Sequence, residues 1–194
     1  MTAETLAVPR LEPFRHATCR EFLPAALLEE TLLWMQKDAP WKLRIASFYE
    51  QWELHLSPEI LPSQLQELLA PEIITEIERR LIRPIEAGRV RFVEATAHKL
   101  VAGQTIRIHN DYLDEGETHR VLFQLNRGWR DEQGGLLMLF GSASPEDVRR
   151  IVRPTHGSAF AFEISPTSFH AVSRIAGGDR FTMVYSFSCR DAAV

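Results

Sequence analysis

Cysteine is scarce in this 194-residue chain, which has only Cys19 and Cys189. Two thiols that far apart form neither a disulfide framework nor a zinc-binding spacing, so they read as inert thiols of a reducing compartment. No stretch of eighteen apolar residues occurs, which argues against a helix that spans a membrane. Met1 to Pro13 shows neither the basic start nor the apolar centre of a signal peptide. The expectation is a soluble, cytoplasmic protein with no membrane partner. Neither sign of charge dominates, and the formal net charge of −4 disfavours a broad phosphate-binding surface and hence nucleic acid. Repeats, low-complexity tracts and linkers are absent too. With 45% hydrophobic residues, 1–194 reads as one domain with a substantial core.

Positive signals divide the chain near residue 88. After a tail of about ten residues, Phe22-Leu23-Pro24 opens a helix to about Lys37, with Leu27, Leu28, Leu32 and Met35 as its buried stripe. Ser63-x-x-Gln66 spells a capping box for a second helical stretch. Pro71 starts another, with Ile73, Ile74, Ile77 and Leu81 at helical spacing, acidic residues first, Arg79, Arg80 and Arg83 last, and Pro84 at its end. The stretch from Trp34 to Trp52 is the hardest to read; it fits a strand from near Lys42 or a partial cover for a binding mouth. Residues 1–88 are therefore expected to be mostly helical support. From Arg89, short β-like runs separated by Gly, Asp and Pro make 89–190 an all-β core. Asp114 to Glu117 and Gly141 to Asp147 read as loops.

Within that β region, Thr105-Ile106-Arg107-Ile108-His109 alternates with period two, which sets His109 at a strand end and Asp111 in the following turn. There, residues i and i+2 can converge on one ion. His170 comes from a second β-like run, and Arg180 opens a third that alternates strictly: Arg180, Thr182, Val184 and Ser186 on one face, Phe181, Met183, Tyr185 and Phe187 on the other. Two imidazoles and a carboxylate are the set that holds Fe(II) on one face and leaves other positions open. Alternation also puts Arg107 on the His109 face, where it could meet a substrate carboxylate, unless a local twist brings it to solvent or it pairs with an acidic neighbour. Arg120 and Gln124 share a face by the same spacing. His16, His55, His98, His119 and His156 lack a partner pattern and read as solvated or core histidines.

From about Lys99 to Cys189 the chain resembles the 2-oxoglutarate- and Fe(II)-dependent dioxygenases, and within them the prolyl 4-hydroxylase-like branch. The matching pieces, in order, are His109-Asn110-Asp111, Arg120 to Asn126, Trp129, Gly134-Gly135-Leu136, Pro154 with Gly157 and Phe162, His170-Ala171-Val172, and Arg180-Phe181. The resemblance implies a mainly β fold with flanking α-helices: a double-stranded β-helix (jelly-roll) core, with the N-terminal helices packed on its major sheet. Those helices are expected to cover Ile106 and Ile108. Also implied are Fe(II) on His109, Asp111 and His170, 2-oxoglutarate chelating that iron, O2 as oxidant and ascorbate as a reductant. Arg180 would clamp the distal carboxylate of 2-oxoglutarate, aided by Thr182, with Gln124 and Arg120 lining the cosubstrate pocket; Arg174 is its nearest rival. In this family the reaction couples conversion of 2-oxoglutarate to succinate and CO2 with hydroxylation of an unactivated C–H bond. The implied substrate is a prolyl or other amino-acid residue in a peptide or protein, or a small amino-acid-derived metabolite.

Two positions depart from the pattern: a Tyr often found ten residues before the first ligand is Lys99 here, and another in the strand before Leu125-Asn126 is Gln124. Alternative readings make different demands on the sequence. Halogenating relatives carry a small residue where Asp111 stands, and a nucleic-acid demethylase of the superfamily would show a second Arg where Ser186 stands. A cupin would show H-x-H. A non-catalytic sensor or scaffold would have lost a ligand or the clamp, and all four residues are present.

Overall fold

The computed structural model describes residues 7–113 and 116–189. Asp114 and Glu115, read above as loop, lie outside the described residues. Twelve strands form two antiparallel sheets. In chain order the strands are β1 (Val8–Arg10), β2 (His16–Cys19), β3 (Lys42–Ile45), β4 (Glu50–His55), β5 (Val90–Leu100), β6 (Ile106–His109), β7 (His119–Gln124), β8 (Leu137–Phe140), β9 (Val148–Val152), β10 (Ala159–Glu163), β11 (His170–Val172) and β12 (Arg180–Cys189). The major sheet runs β1-β2-β10-β7-β12-β5-β4-β3 and the minor sheet β6-β11-β8-β9. This is the double-stranded β-helix that the sequence suggested.

The alternation of β12 sorts the interior into two compartments. Phe181, Met183, Tyr185 and Phe187 join Ala95 and Ala97 of β5 and Val121 and Phe123 of β7 in one cluster, on the face covered by helices. Covering it are α1 (Ala25–Lys37), through Leu27, Leu28, Leu32 and Met35, and α2 (Pro71–Ile77) with its continuation Glu78–Ile82, through Ile77, Leu81 and Ile82. Burying these side chains at about 25 cal/mol per Å² is the main force that docks the helices. The opposite face of the major sheet turns toward the minor sheet around a second cluster that includes Leu100, Phe160, Phe162, Leu137 and Leu139.

Four expectations change. Residues 8–10 form a strand against β2 rather than a tail, and residues 1–88 contribute four strands as well as helices. The missed strands are short and lie toward the edges of the major sheet, where few residues exist to display alternation; β3 does begin at Lys42. The Ser63 stretch is a 3-10 helix preceded by Pro62, with no side-chain cap; Gln66 instead donates to the Pro58 carbonyl. Ile106 and Ile108 belong to the minor sheet, so the helices do not cover them. Both line an open apolar groove of about 480 Å3 with Met138, Phe140, Val148 and Ala171.

Candidate metal centre

His109 ends β6 and His170 begins β11, and the antiparallel register puts the two directly opposite each other, with ring centroids 4.2 Å apart. Asp111 follows in a left-handed conformation, φ 58°, unusual for a residue with a side chain but tolerated best by Asn and Asp. That turn folds its carboxylate back over both rings, with Oδ1 3.4 Å from His109 Nε2 and Oδ2 3.2 Å from His170 Nε2. One ligand atom from each of the three residues lies within 4.8 Å of the others.

Hydrogen bonds to the backbone fix which imidazole nitrogen faces inward. His109 Nδ1 lies 2.8 Å from the Arg107 carbonyl and His170 Nδ1 2.8 Å from the Ser168 carbonyl. A carbonyl only accepts, so each Nδ1 carries the proton and each Nε2 can present its lone pair to a metal. Ser168 donates to the Asn110 carbonyl at 3.1 Å, and Asn110 Nδ2 donates to the Pro166 carbonyl at 3.1 Å, which ties the two ligand-bearing segments together. Phe48, from the turn between β3 and β4, stacks on His109 at 4.4 Å.

The charges suit a cation. Burial lowers the pKa of His170, which outweighs the opposing pull of Asp111 and keeps the imidazole neutral. Burial alone would raise Asp111, but the close approach of His109 and His170 and the charge of Arg120 hold it far below the usual carboxylate range. Arg120 Nη1 forms an ion pair with Asp111 Oδ2 at 2.7 Å, which holds the carboxylate in its ionised form. Two imidazoles and an ionised carboxylate, with one ligand atom of each gathered within 4.8 Å of the others, fit a divalent iron.

On the inner face of the major sheet, Arg180 is buried, 4% exposed, and no described carboxylate pairs with it. Its Nη1 donates to Thr182 Oγ1 at 2.8 Å, and its Nε has no partner. Burial pushes its pKa down to about 10, so it stays charged at neutral pH. Gly134 and Gly135 make this placement possible. A Cβ on Gly135 would stand 2.8 Å from Arg180 Cδ, and one on Gly134 2.0 Å from the Arg174 carbonyl, and both glycines have positive φ. Thr182 Oγ1 lies 3.3 Å from Gln124 Oε1, which also accepts from Asn126 Nδ2 at 3.3 Å. Asn126 further accepts the Phe181 N–H at 2.7 Å and donates to the Pro154 carbonyl, so the Asn and Pro of the sequence pattern are braces for this polar wall.

The structure therefore brings His109, Asp111, His170 and Arg120 together, and strand register sets Arg180, Thr182 and Gln124 on the same inner face of the major sheet as Arg120. Arg120 touches Asp111 and Glu117. Arg107 goes elsewhere: its exposed guanidinium donates to the Ser47 carbonyl and its N–H to Phe48 O at 2.8 Å, so it pins the turn that bears Phe48. Arg174 is exposed. Lys99 turns to the helix side of the sheet, with Nζ 5.3 Å from the Trp41 ring and 5.2 Å from Trp52. Sequence reasoning missed Phe48, Ser168 and His98; only the β-strand alternation of β5, followed through its partner strand, could have put His98 on the inner face.

A profile of the 2OG-Fe(II) oxygenase superfamily matches residues 95–187. Prolyl 3-hydroxylase sudestada1 of Drosophila melanogaster is 25% identical over 116 residues, which cover 54% of this chain and 22% of that protein; the chain thus spans about a fifth of that relative. The fold is similar to a Pseudomonas putida prolyl-4-hydroxylase, with TM-score 0.68 and 21% identity over 91% of this chain and 93% of that one. It is also similar to a Trichoplax adhaerens prolyl hydroxylase in complex with a hypoxia inducible factor peptide fragment, with TM-score 0.71 and 12% identity over 90% and 83% of the two chains. Residues 95–187 thus resemble the 2OG-Fe(II) oxygenase superfamily, and the β-helix that carries the His-Asp-His cluster is similar to the folds of prolyl hydroxylases.

Proposed function

We propose that the chain is a hydroxylase of prolyl or other amino-acid residues, acting on a peptide or on a small amino-acid-derived molecule, with His109, Asp111 and His170 as iron ligands and Arg180 as the 2-oxoglutarate clamp. The observation that carries this reading is a buried guanidinium, without a described carboxylate partner, on the same sheet face as Arg120, which contacts a preformed two-histidine, one-carboxylate cluster. An unpaired buried cation is costly, and a carboxylate is its natural complement.

When bound, iron and 2-oxoglutarate supply the oxidation: a C–H bond and O2 become C–OH, while 2-oxoglutarate becomes succinate and CO2. The protein's part is to bind, orient and shield. His109 and His170 offer Nε2 lone pairs whose direction the Arg107 and Ser168 carbonyls set. Arg180 offers a planar fork to the distal carboxylate, with Thr182 beside it. Phe162, whose ring centroid is 4.9 Å from that of His170, and Phe14, 6.2 Å from Phe162, keep water from the inner side of the ligands. Asp111 occupies the ligand position that a halide would need, which favours oxygen transfer.

The similarity to prolyl hydroxylases, one of them in complex with a peptide, supports a peptidyl substrate. Incubation with Fe(II), 2-oxoglutarate and proline-containing peptides, in parallel with free amino acids, should yield a product about 16 Da heavier in the peptide arm, by addition of one oxygen atom. Succinate production that no peptide or amino acid stimulates would contradict this assignment.

A further inference from the structure

His98 lies in the middle of β5, where strand register makes it the partner of Thr182 on β12 and Glu53 on β4. Partners across an antiparallel pair point to the same face. His98 therefore shares the inner face with Thr182 and Arg180, while its neighbours Ala97 and Lys99 turn to the helix side. Its Nε2 lies 3.1 Å from Thr96 Oγ1, and its Nδ1 has no described partner. The residue keeps partial exposure.

Strand register locates it: the row of Gln124, Thr182 and His98 lies between the row of Arg180 and the row of Ser186 and Arg120, whose guanidinium contacts Asp111. It thus stands between the metal cluster and the clamp, the interval a dicarboxylate reaching from one to the other must cross. Burial first, then these two guanidiniums, push its pKa down to about 3, so at working pH the ring is a neutral donor and acceptor. A third cation there would repel metal and clamp alike; a neutral imidazole gives a directed hydrogen bond without that cost.

We propose that His98 is a cosubstrate-binding residue, whose ring nitrogen not engaged by Thr96 hydrogen-bonds 2-oxoglutarate between its iron-side end and the carboxylate held by Arg180. The inference rests on the function proposed above. Thr96 is then the tether that fixes the ring's orientation.

The test uses the full chain loaded anaerobically with Fe(II), with 2-oxoglutarate affinity read from the visible iron-to-cosubstrate absorption band and metal affinity measured separately. His98→Leu keeps the bulk but removes the hydrogen bond, and should weaken 2-oxoglutarate about tenfold and shift the band, with iron affinity unchanged. His98→Gln restores a donor and should stay within about threefold of the unmodified protein. Thr96→Val leaves the imidazole untethered and should cost about threefold, which keeps the idea testable if His98→Leu does not fold. Unchanged affinity and band in His98→Leu, or equal loss in the Leu and Gln variants, would overturn the assignment. So would loss of iron binding with either variant, since it would make His98 a structural support of the metal cluster. If the unmodified, iron-loaded protein fails to bind 2-oxoglutarate, the function itself fails and takes this inference with it.

Discussion

Replacing Arg180 by Met separates two effects with opposite signs. The side chain is 4% exposed, has no described carboxylate partner and is satisfied only by one neutral hydrogen bond to Thr182, with Nε unbonded. Without cosubstrate, its removal relieves a desolvation cost, so the thermal midpoint of the ligand-free variant should not fall below that of the unmodified protein. With cosubstrate, the variant leaves the distal carboxylate in a dry pocket without its cation. Truncating one partner of a buried charge-assisted pair costs roughly 2–5 kcal/mol, or about 30-fold to a few thousand-fold in affinity. Thr182 and Gln124 remain to offer hydrogen bonds, so the lower part of that range is expected, about 30- to 300-fold. Anaerobic titration of the Fe(II)-loaded variant with 2-oxoglutarate reads the affinity, and metal binding should persist because Arg180 touches no ligand. Unchanged affinity would transfer the clamp to another residue, and a sharp loss of ligand-free stability would show that Arg180 is structural.

His109→Ala or His170→Ala should abolish Fe(II) binding but leave the circular dichroism spectrum nearly unchanged, since both side chains lie outside the helix-covered core; a globally unfolded variant would contradict their assignment as ligands. Stability should fall on acidification from pH 7.5 to 5. The folded state holds His98 and His119 at pKa values of about 3 and 4, against about 6.5 unfolded, so the unfolded chain takes up protons that the fold refuses. This contribution is present above pH 6.5 and is lost toward pH 4, at up to about 2 kcal/mol per histidine by pH 5. Urea midpoints at the two pH values check it, and equal midpoints would mean the rings are hydrated in the fold. Tyr185→Phe should cost about 1–2 kcal/mol in the same assay, because the buried hydroxyl donates to the Leu68 carbonyl at 3.0 Å and its loss orphans that acceptor.

The meeting of His109, Asp111 and His170 and the inward facing of Arg180 were legible because each is a short pattern on a strand whose alternation is itself in the sequence. Phe181, Met183, Tyr185 and Phe187 pack under the helices as their spacing required, and Arg180 and Thr182 face inward. What alternation cannot give is the identity of the covering layer. Ile106 and Ile108 are spaced as a strand face demands, but only tertiary structure puts them in the minor sheet, away from the helices. Arg107 follows the solvent-facing alternative, and spacing could not name its partner, the Ser47 carbonyl in a turn sixty residues earlier. His98 was overlooked because its meaning depends on the register with Thr182, 84 positions later, and a single strand does not encode its partner. The edge strand β1 has three residues, too few for periodicity to register.

Anaerobic addition of Fe(II) and then 2-oxoglutarate to the folded protein, followed by visible absorption, puts the proposed centre to the test without requiring knowledge of the substrate. The arrangement of His109, Asp111, His170 and Arg180 predicts a weak visible band that appears only when both are present, saturates at one equivalent of each per chain, and vanishes in His170→Ala. Iron-loaded, folded protein that gives no such band with 2-oxoglutarate would contradict the account.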